Sequence, residues 1–325
     1  MGVTAVPKPW AAAGYEQLVE RFGLAEIGVD LVGRVGESPG MRVLDVATGI
    51  GNVAFPAASA GAQVCGLDLT WDMLARSAQR AAETGAHLAL VQGDAGALPF
   101  ADASFDCVLS SLGVMFAPDH RRAAGELVRV CRPGGLIGVC SWTPDSIPGV
   151  VGRTVTSFLP GSAPEVAGSP LSWGSEEHVR ELFAGADITL EFERVGLPVR
   201  LDLADAYLQL LADHSGPTGE CRRLLSTQGR WEEARAEVAG VLEERNETPG
   251  DGWTASQEYL VAIARDGRGL RATGSGAGDD LFDEGALDVG GEGLAGAEEG
   301  EPADGVALDD EDDVLVDRDG GAAGD

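Results

Sequence analysis

Short apolar runs alternate with amphipathic stretches along most of this chain. Residues 42–47, 63–68, 88–92, 105–110 and 136–142 are rich in Val, Leu, Ile and Cys and read as strands. Residues 71–84 and 120–130 lie between them and read as helices. Near-continuous apolar strands separated by helices predict a doubly wound α/β fold, with a mostly parallel sheet covered on both faces. Arg132-Pro133-Gly134-Gly135 reads as a turn into the fifth strand, because proline cannot continue a helix and glycine permits reversal. Prolines between 144 and 170 break the alternation. Beyond them, 188–195 and 258–264 read as further strands, and 176–183, 204–212 and 231–245 as helices. No internal repeat is visible.

The most informative run is VLDVATGIGNVAF, residues 43–55. An apolar strand ends at Asp45, a small-residue turn follows with Gly49 and Gly51, and a helix-competent segment comes next. Glycines allow positive φ and close approach of a ligand. A helix N-terminus adds unmet N–H groups. The pattern predicts a nucleotide-like ligand at the carboxyl end of the first parallel strand.

Acidic residues mark the first three strand ends: Asp45, Asp68 and Asp94. In an open parallel sheet these ends share one crevice. Asp68 closes the second strand and could accept both hydroxyls of a ribose. Asp94 could accept from an exocyclic amine, and Asp45, beside the glycine turn, suits an ammonium group. Each also has a plainer reading. Asp45 could brace the turn, Asp68 could cap the next helix, and Asp94 could be an ordinary turn aspartate. Together, with no lysine nearby, they fit a cationic nucleoside better than a pyrophosphate.

Composition sharpens this picture. The formal net charge of −30 makes nucleic acid and anionic membranes poor partners. Lys8 is the only lysine, so chemistry requiring a core lysine is nearly excluded. No window reaches the roughly 18 consecutive apolar residues of a membrane span, and MGVTAVPKPW lacks a signal-peptide core; a cytoplasmic protein is expected. Cys65, Cys107, Cys131, Cys140 and Cys221 form no C-x-x-C pair and read as reduced structural thiols, with no metal site expected. Residues 267–325 hold 18 acidic residues against three arginines, a net −15, with few large apolar side chains. They read as a disordered acidic tail.

The pattern Asp45-x-Ala47-x-Gly49-x-Gly51, then Gly66-Leu67-Asp68-Leu69, then Gly93-Asp94-Ala95-x-x-Leu98-Pro99-Phe100, resembles class I S-adenosylmethionine-dependent methyltransferases. Ser104-Phe105-Asp106 and Arg132-Pro133-Gly134-Gly135 add to the resemblance, which is closest to the ubiquinone/menaquinone-type group. A bacterial subgroup of uncharacterised small-molecule methyltransferases is nearer still. It shares Gly51-Asn52-Val53-Ala54, Met115-Phe116-Ala117-Pro118-Asp119-His120, Trp173-Gly174-Ser175-Glu176-Glu177-His178 and Glu258-Tyr259-Leu260. The resemblance is strong from Trp10 to Trp142, weaker to Asp266 and absent beyond. Ala47 departs from it, since many members have glycine there.

The resemblance implies a Rossmann-like sheet of seven strands, the last antiparallel. It implies one domain over residues 1–266: a core at 30–143, a helical cap over the acceptor at 144–250 and a returning strand at 256–266. Asp45 and the turn Ala47, Thr48, Gly49 and Gly51 would hold the methionine end of S-adenosylmethionine. Asp68 would bind the ribose, Leu69 would pack on the adenine, Asp94 would take its amino group and the Ala95 N–H a ring nitrogen. Ser110 and Ser111 would border the methyl group, and the segment with Trp10 and Tyr15 would close over the cofactor. The reaction would pass the methyl group to a small-molecule acceptor by in-line displacement without a metal, leaving S-adenosylhomocysteine. Positioning carries most of such a reaction. A general base is needed only for a protonated acceptor; Tyr15, His120, His178 and His214 are the weak candidates. The rival readings are a non-catalytic partner subunit on the same fold and a nicotinamide-dependent dehydrogenase, whose loose fingerprint Gly49-x-Gly51-x-x-Ala54 satisfies. The acceptor atom, carbon, oxygen or nitrogen, and the choice between monomer and homodimer are left open.

Overall fold

The computed structural model describes residues 10–36, 39–160 and 169–267. Seven strands form one sheet: β1 Arg42–Val46, β2 Gln63–Asp68, β3 Leu88–Gln92, β4 Phe105–Ser111, β5 Cys131–Trp142, β6 Ile188–Leu201 and β7 Trp253–Asp266. Their order is β3-β2-β1-β4-β5-β7-β6. Neighbours from β3 to β5 pair in parallel. β7 runs antiparallel between β5 and β6. Strands in the middle of such a sheet lose water on both faces, which is why Val43, Leu44 and Val46 of β1 and Cys107, Val108 and Leu109 of β4 are all buried.

The helices are α1 Ala12–Phe22, α2 Ala25–Val35, α3 Ala54–Ser59, α4 Trp71–Thr84, α5 His120–Val130, α6 Ile147–Ser157, α7 Glu176–Leu182, α8 Ala204–His214, α9 Gly216–Thr227 and α10 Trp231–Glu243. α2 and α5 pack on β4 and β5, and α4 packs on β2 and β3. Local chemistry sets several ends. Asp119 accepts the Arg122 N–H at 2.9 Å to start α5, and Gly85 closes α4 in the left-handed region. Helices α6, α8, α9 and α10 pack together as a cap, and α1 packs on α8. On the other side, Asp72 accepts the Ala12 N–H at 2.6 Å and Arg76 pairs with Glu16 at 2.7 Å, fixing α1 to α4 as well.

Three expectations change. Arg132–Gly135 is not a turn ahead of β5 but an excursion within it. Phe105 pairs with Cys131 while Cys107 pairs with Leu136, so β5 spends five steps where β4 spends two. The proline-rich stretch contains α6, because Ser146 accepts the Gly149 N–H at 3.1 Å and Pro148 sits in the first turn, where its missing donor is harmless. β6 continues past Val195 through Pro198 to Leu201, which an edge strand tolerates. The tail expected at 267–325 lies outside the described residues, apart from Gly267. Among the described residues, no helix is long and apolar enough to cross a membrane. Cys65, Cys107, Cys131 and Cys140 are buried and Cys221 is partly buried, none of them in a disulfide. Burial pushes the Cys65 thiol up to about 12, with the nearby Asp45 charge adding to it.

Candidate cofactor and acceptor site

The turn after β1 is held from beneath. Asp45, 1% exposed, accepts the Thr48 hydroxyl at 2.6 Å and the Ala54 N–H at 3.1 Å. One carboxylate oxygen thus closes the turn and takes a donor at the start of α3 that the sequence left for a ligand. Thr48 N–H reaches the Leu67 carbonyl at 2.9 Å, tying the turn to β2. Ala47 (φ 56°), Gly49 (φ 58°) and Gly51 (φ 91°) all sit in the left-handed region. At Gly51 a Cβ would meet the Phe55 ring at 2.5 Å, so only glycine fits. At Ala47 the methyl group is accommodated by Gly113, where a second Cβ would come within 2.6 Å of it.

Asp68, 9% exposed at the end of β2, faces the turn. One of its oxygens accepts the Gly49 N–H at 2.9 Å and the other the Thr70 N–H at 2.8 Å. Burial raises this carboxyl above its ordinary range, and the N–H bonds oppose the rise. The Thr70 side chain and the Leu69 N–H also act on this carboxylate and lower it. Asp94 is exposed at the rim; it accepts the Gly96 N–H at 2.8 Å, an Asx turn.

Ala47, Gly49, Asp68, Leu69, Met73, Asp94 and Ala95 line one half of a cavity of about 470 Å³, within the size range of small-molecule sites. Trp142, Arg153, Leu171, Tyr207, Leu211 and Gln257 line the other half, contributed by β5, the cap and β7. Helix α1 borders both halves through Tyr15, Leu18 and Phe22. Trp10 meets Tyr15 and Phe116 edge-to-face, with ring centroids 5.7 and 5.5 Å apart, over the strand-end half. Among the described lining residues the charged groups are Asp68 and Asp94 on the strand ends and Arg153 on α6.

This fold has known counterparts. Residues 44–139 match a sequence family described as a methyltransferase domain. An uncharacterised protein of Mycobacterium tuberculosis is 45% identical over 212 residues, spanning 65% of this chain and 77% of that one. The demethylmenaquinone methyltransferase of Renibacterium salmoninarum is 37% identical over 137 residues, 42% of this chain and 56% of that enzyme. The chain belongs to the class I S-adenosylmethionine-dependent methyltransferases. In fold alone, it matches the YcgJ protein of Bacillus subtilis with a TM-score of 0.53 at 18% identity, covering 74% of this chain and 97% of that one. A Bacillus halodurans protein gives the same TM-score of 0.53 at 19% identity, with 74% and 98% coverage.

Within this methyltransferase fold, the residues singled out from sequence divide into two layers. Ala47, Gly49, Asp68, Leu69, Asp94, Ala95 and Ser111 line the cavity, as do Trp10 and Tyr15. Asp45, Thr48, Gly51 and Ser110 stand behind it. Ser110, 0% exposed, donates to the Val46 carbonyl at 2.7 Å and accepts the Val114 N–H at 2.9 Å, so it braces two strand ends. None of the three candidate histidines lines the cavity. His120 and His178 meet each other, Nδ1 to Nε2 at 3.1 Å, between α5 and α7, and burial lowers the basicity of both. His214 ends α8. Tyr15 does line the cavity, but burial pushes its hydroxyl up to about 12, with Asp68 and Asp45 adding to the rise against a hydrogen bond from Asn52. The sequence reading missed Tyr207 and Gln257. One signal was present: β7 alternates, and Gln257 shares the inward register of Trp253, Ala255 and Tyr259. A polar side chain at an inward position of a strand asks for a reason.

Proposed function

We propose that this protein transfers the methyl group of S-adenosylmethionine to a small-molecule acceptor held between the strand ends and the cap. The observation that carries the reading is Asp68: a desolvated carboxylate in the cavity wall, fixed by the Gly49 and Thr70 N–H groups at the end of β2. A carboxylate at that position can accept both hydroxyls of a ribose. Leu69 and Met73 beside it offer apolar contact to a purine, and Asp94 stands at the rim for its amino group. No cation lies on this half among the described lining residues, which suits a positively charged ligand. The cofactor would supply an electrophilic methyl group when bound.

The protein's own part is then to position and to exclude water. The Trp10, Tyr15 and Phe116 cluster covers the strand-end half, while Ser111 and Trp142 line the cavity from β4 and β5. Good orientation of two reactants is worth about 7–11 kcal/mol. Neither tyrosine in the wall serves as a base near neutral pH. Burial pushes Tyr15 up to about 12 and Tyr207 well above the ordinary phenol range. The acceptor atom is therefore one that is nucleophilic without help from them. Isothermal calorimetry of the full chain tests the reading: S-adenosylmethionine and S-adenosylhomocysteine both bind, and absence of binding at millimolar ligand overturns it.

A further inference from the structure

The cap half of the cavity is mostly apolar, with Trp142, Pro148, Leu171 and Leu211 in its wall. Its polar lining residues are Arg153, Thr156, Ser169, Ser215, Thr218 and one pair that is fully buried. Tyr207 on α8 and Gln257 on β7 are both 0% exposed, and the Tyr207 hydroxyl donates to Gln257 Oε1 at 2.6 Å. Phe22 stacks on the Tyr207 ring with centroids 4.6 Å apart, and Trp253 packs against it at 5.5 Å, so the phenol is fixed. With the hydroxyl spent on Oε1, the amide has one defined orientation. Its Nε2 is buried and has no hydrogen-bond partner. A buried amide N–H without an acceptor is costly, and few native side chains are left that way.

We infer that Gln257 Nε2 recognises the methyl acceptor, donating to a carbonyl oxygen on an otherwise apolar, ring-sized molecule. The inference rests on the methyl-transfer reading above and names its acceptor class. An oxygen seated against Gln257 meets the unmatched donor while the rest of the molecule lies on Trp142, Leu171 and Leu211. A sugar or an amino acid would exchange many hydrogen bonds with water for a wall that is mostly apolar. Arg153 is the charged group of the described cap wall, and it is already turned to the Pro144 carbonyl and, at 3.6 Å, to Asp145. Tyr207 is a positioning residue: it holds the amide and stays protonated.

1-Indanone and indane have the same ring skeleton and differ by one carbonyl, so they isolate the hydrogen bond. Both are titrated by ligand-observed NMR into the full chain, with and without saturating S-adenosylhomocysteine. Gln257→Met is expected to weaken 1-indanone about tenfold and leave indane within about twofold. Tyr207→Phe, which frees the amide to turn, is expected to weaken 1-indanone by a smaller factor, about threefold. Equal losses for both compounds, no loss for 1-indanone, or a wild type that binds neither at millimolar concentration overturns the inference. Circular-dichroism melting checks that each variant is folded. Should Gln257→Met not fold, the Tyr207→Phe arm decides, and a loss there that is not selective for 1-indanone overturns the inference. A protein that binds S-adenosylhomocysteine but shows no carbonyl preference sinks only this inference. One that shows the preference without binding S-adenosylhomocysteine sinks the methyl-donor reading and leaves the anchor standing.

Discussion

The two halves of the cavity solve opposite problems. On the strand-end side, charge is concentrated and met: Asp45 takes the Thr48 hydroxyl and the Ala54 N–H, and Asp68 the N–H groups of Gly49 and Thr70. On the cap side charge is sparse, and the buried donor of Gln257 is left unmet. A half whose buried carboxylates are held by backbone donors is rigid before any ligand arrives, and its shape suits one ligand. A half of mostly apolar side chains with one fully buried, unmatched donor accepts a range of shapes and discriminates most strongly at that donor. The difference teaches that the two halves answer to different constraints, the first to backbone geometry and the second to side-chain identity.

The sharpest way to break this comparison is Asp68→Ala. Losing a charged acceptor for two hydroxyls lowers S-adenosylhomocysteine affinity about 100-fold or more in calorimetry. Melting temperature falls by only a few degrees, because the two N–H groups it releases lie at the cavity surface. A larger fall in stability than in affinity would make Asp68 a brace like its neighbour. Asp45→Ala is expected to invert the ratio. It strands the buried Thr48 hydroxyl and the Ala54 N–H, costs about 3 kcal/mol and lowers the melting temperature by about 6–12 °C. Affinity of the fraction still folded changes less.

A pH titration probes the same carboxylate more gently. Burial raises Asp68 above its ordinary range in the folded chain. Its contribution to stability is therefore fully present below the unfolded value of about 4 and is lost as pH rises through the raised folded value. Ribose hydroxyls favour the ionised form, so affinity for S-adenosylhomocysteine rises across that same window. The difference between wild type and Asp68→Asn, followed by calorimetry and by melting, should show both slopes with opposite sign. A flat difference would show that Asp68 keeps its ordinary acidity.

The smallest effect is at Ala47. A left-handed alanine costs about 1–2 kcal/mol, and glycine returns roughly half of that to the unfolded chain. Ala47→Gly is therefore expected to raise stability by at most about 1 kcal/mol and to leave affinity within about twofold. A clear loss would show that the methyl group's contact with Gly113 outweighs the strain.

Legibility in the sequence follows the same division. β2, β3, α4 and α5 fall on the residues where apolar periodicity ends, because each is decided by local pattern. The strand-end aspartates were visible for the same reason, although a sequence could not separate those that line the cavity from Asp45, whose oxygen is committed to the turn. Arg132–Gly135 was misread because the choice between a turn and a bulge depends on where β4 pairs, a long-range fact. The end of β6 was misread because Pro198 signals a break unless the strand is known to lie at an edge. Tyr207 and Gln257 are 50 positions apart and belong to no motif; only the antiparallel placement of β7 brings them together.

That placement has a consequence for how the molecule is made. β7 is the last described element to leave the ribosome, and it pairs with strands on both sides. Until it does, β5 has an open outer edge and β6 has no partner, while β1 to β4 can already pair among themselves. A growing chain would therefore assemble the charged pocket first and acquire the residue that reads the second reactant only at the end of synthesis. A chain interrupted before Trp253 would keep Asp68 and lack Gln257. It would be a receptor for one reactant without the means to select the other.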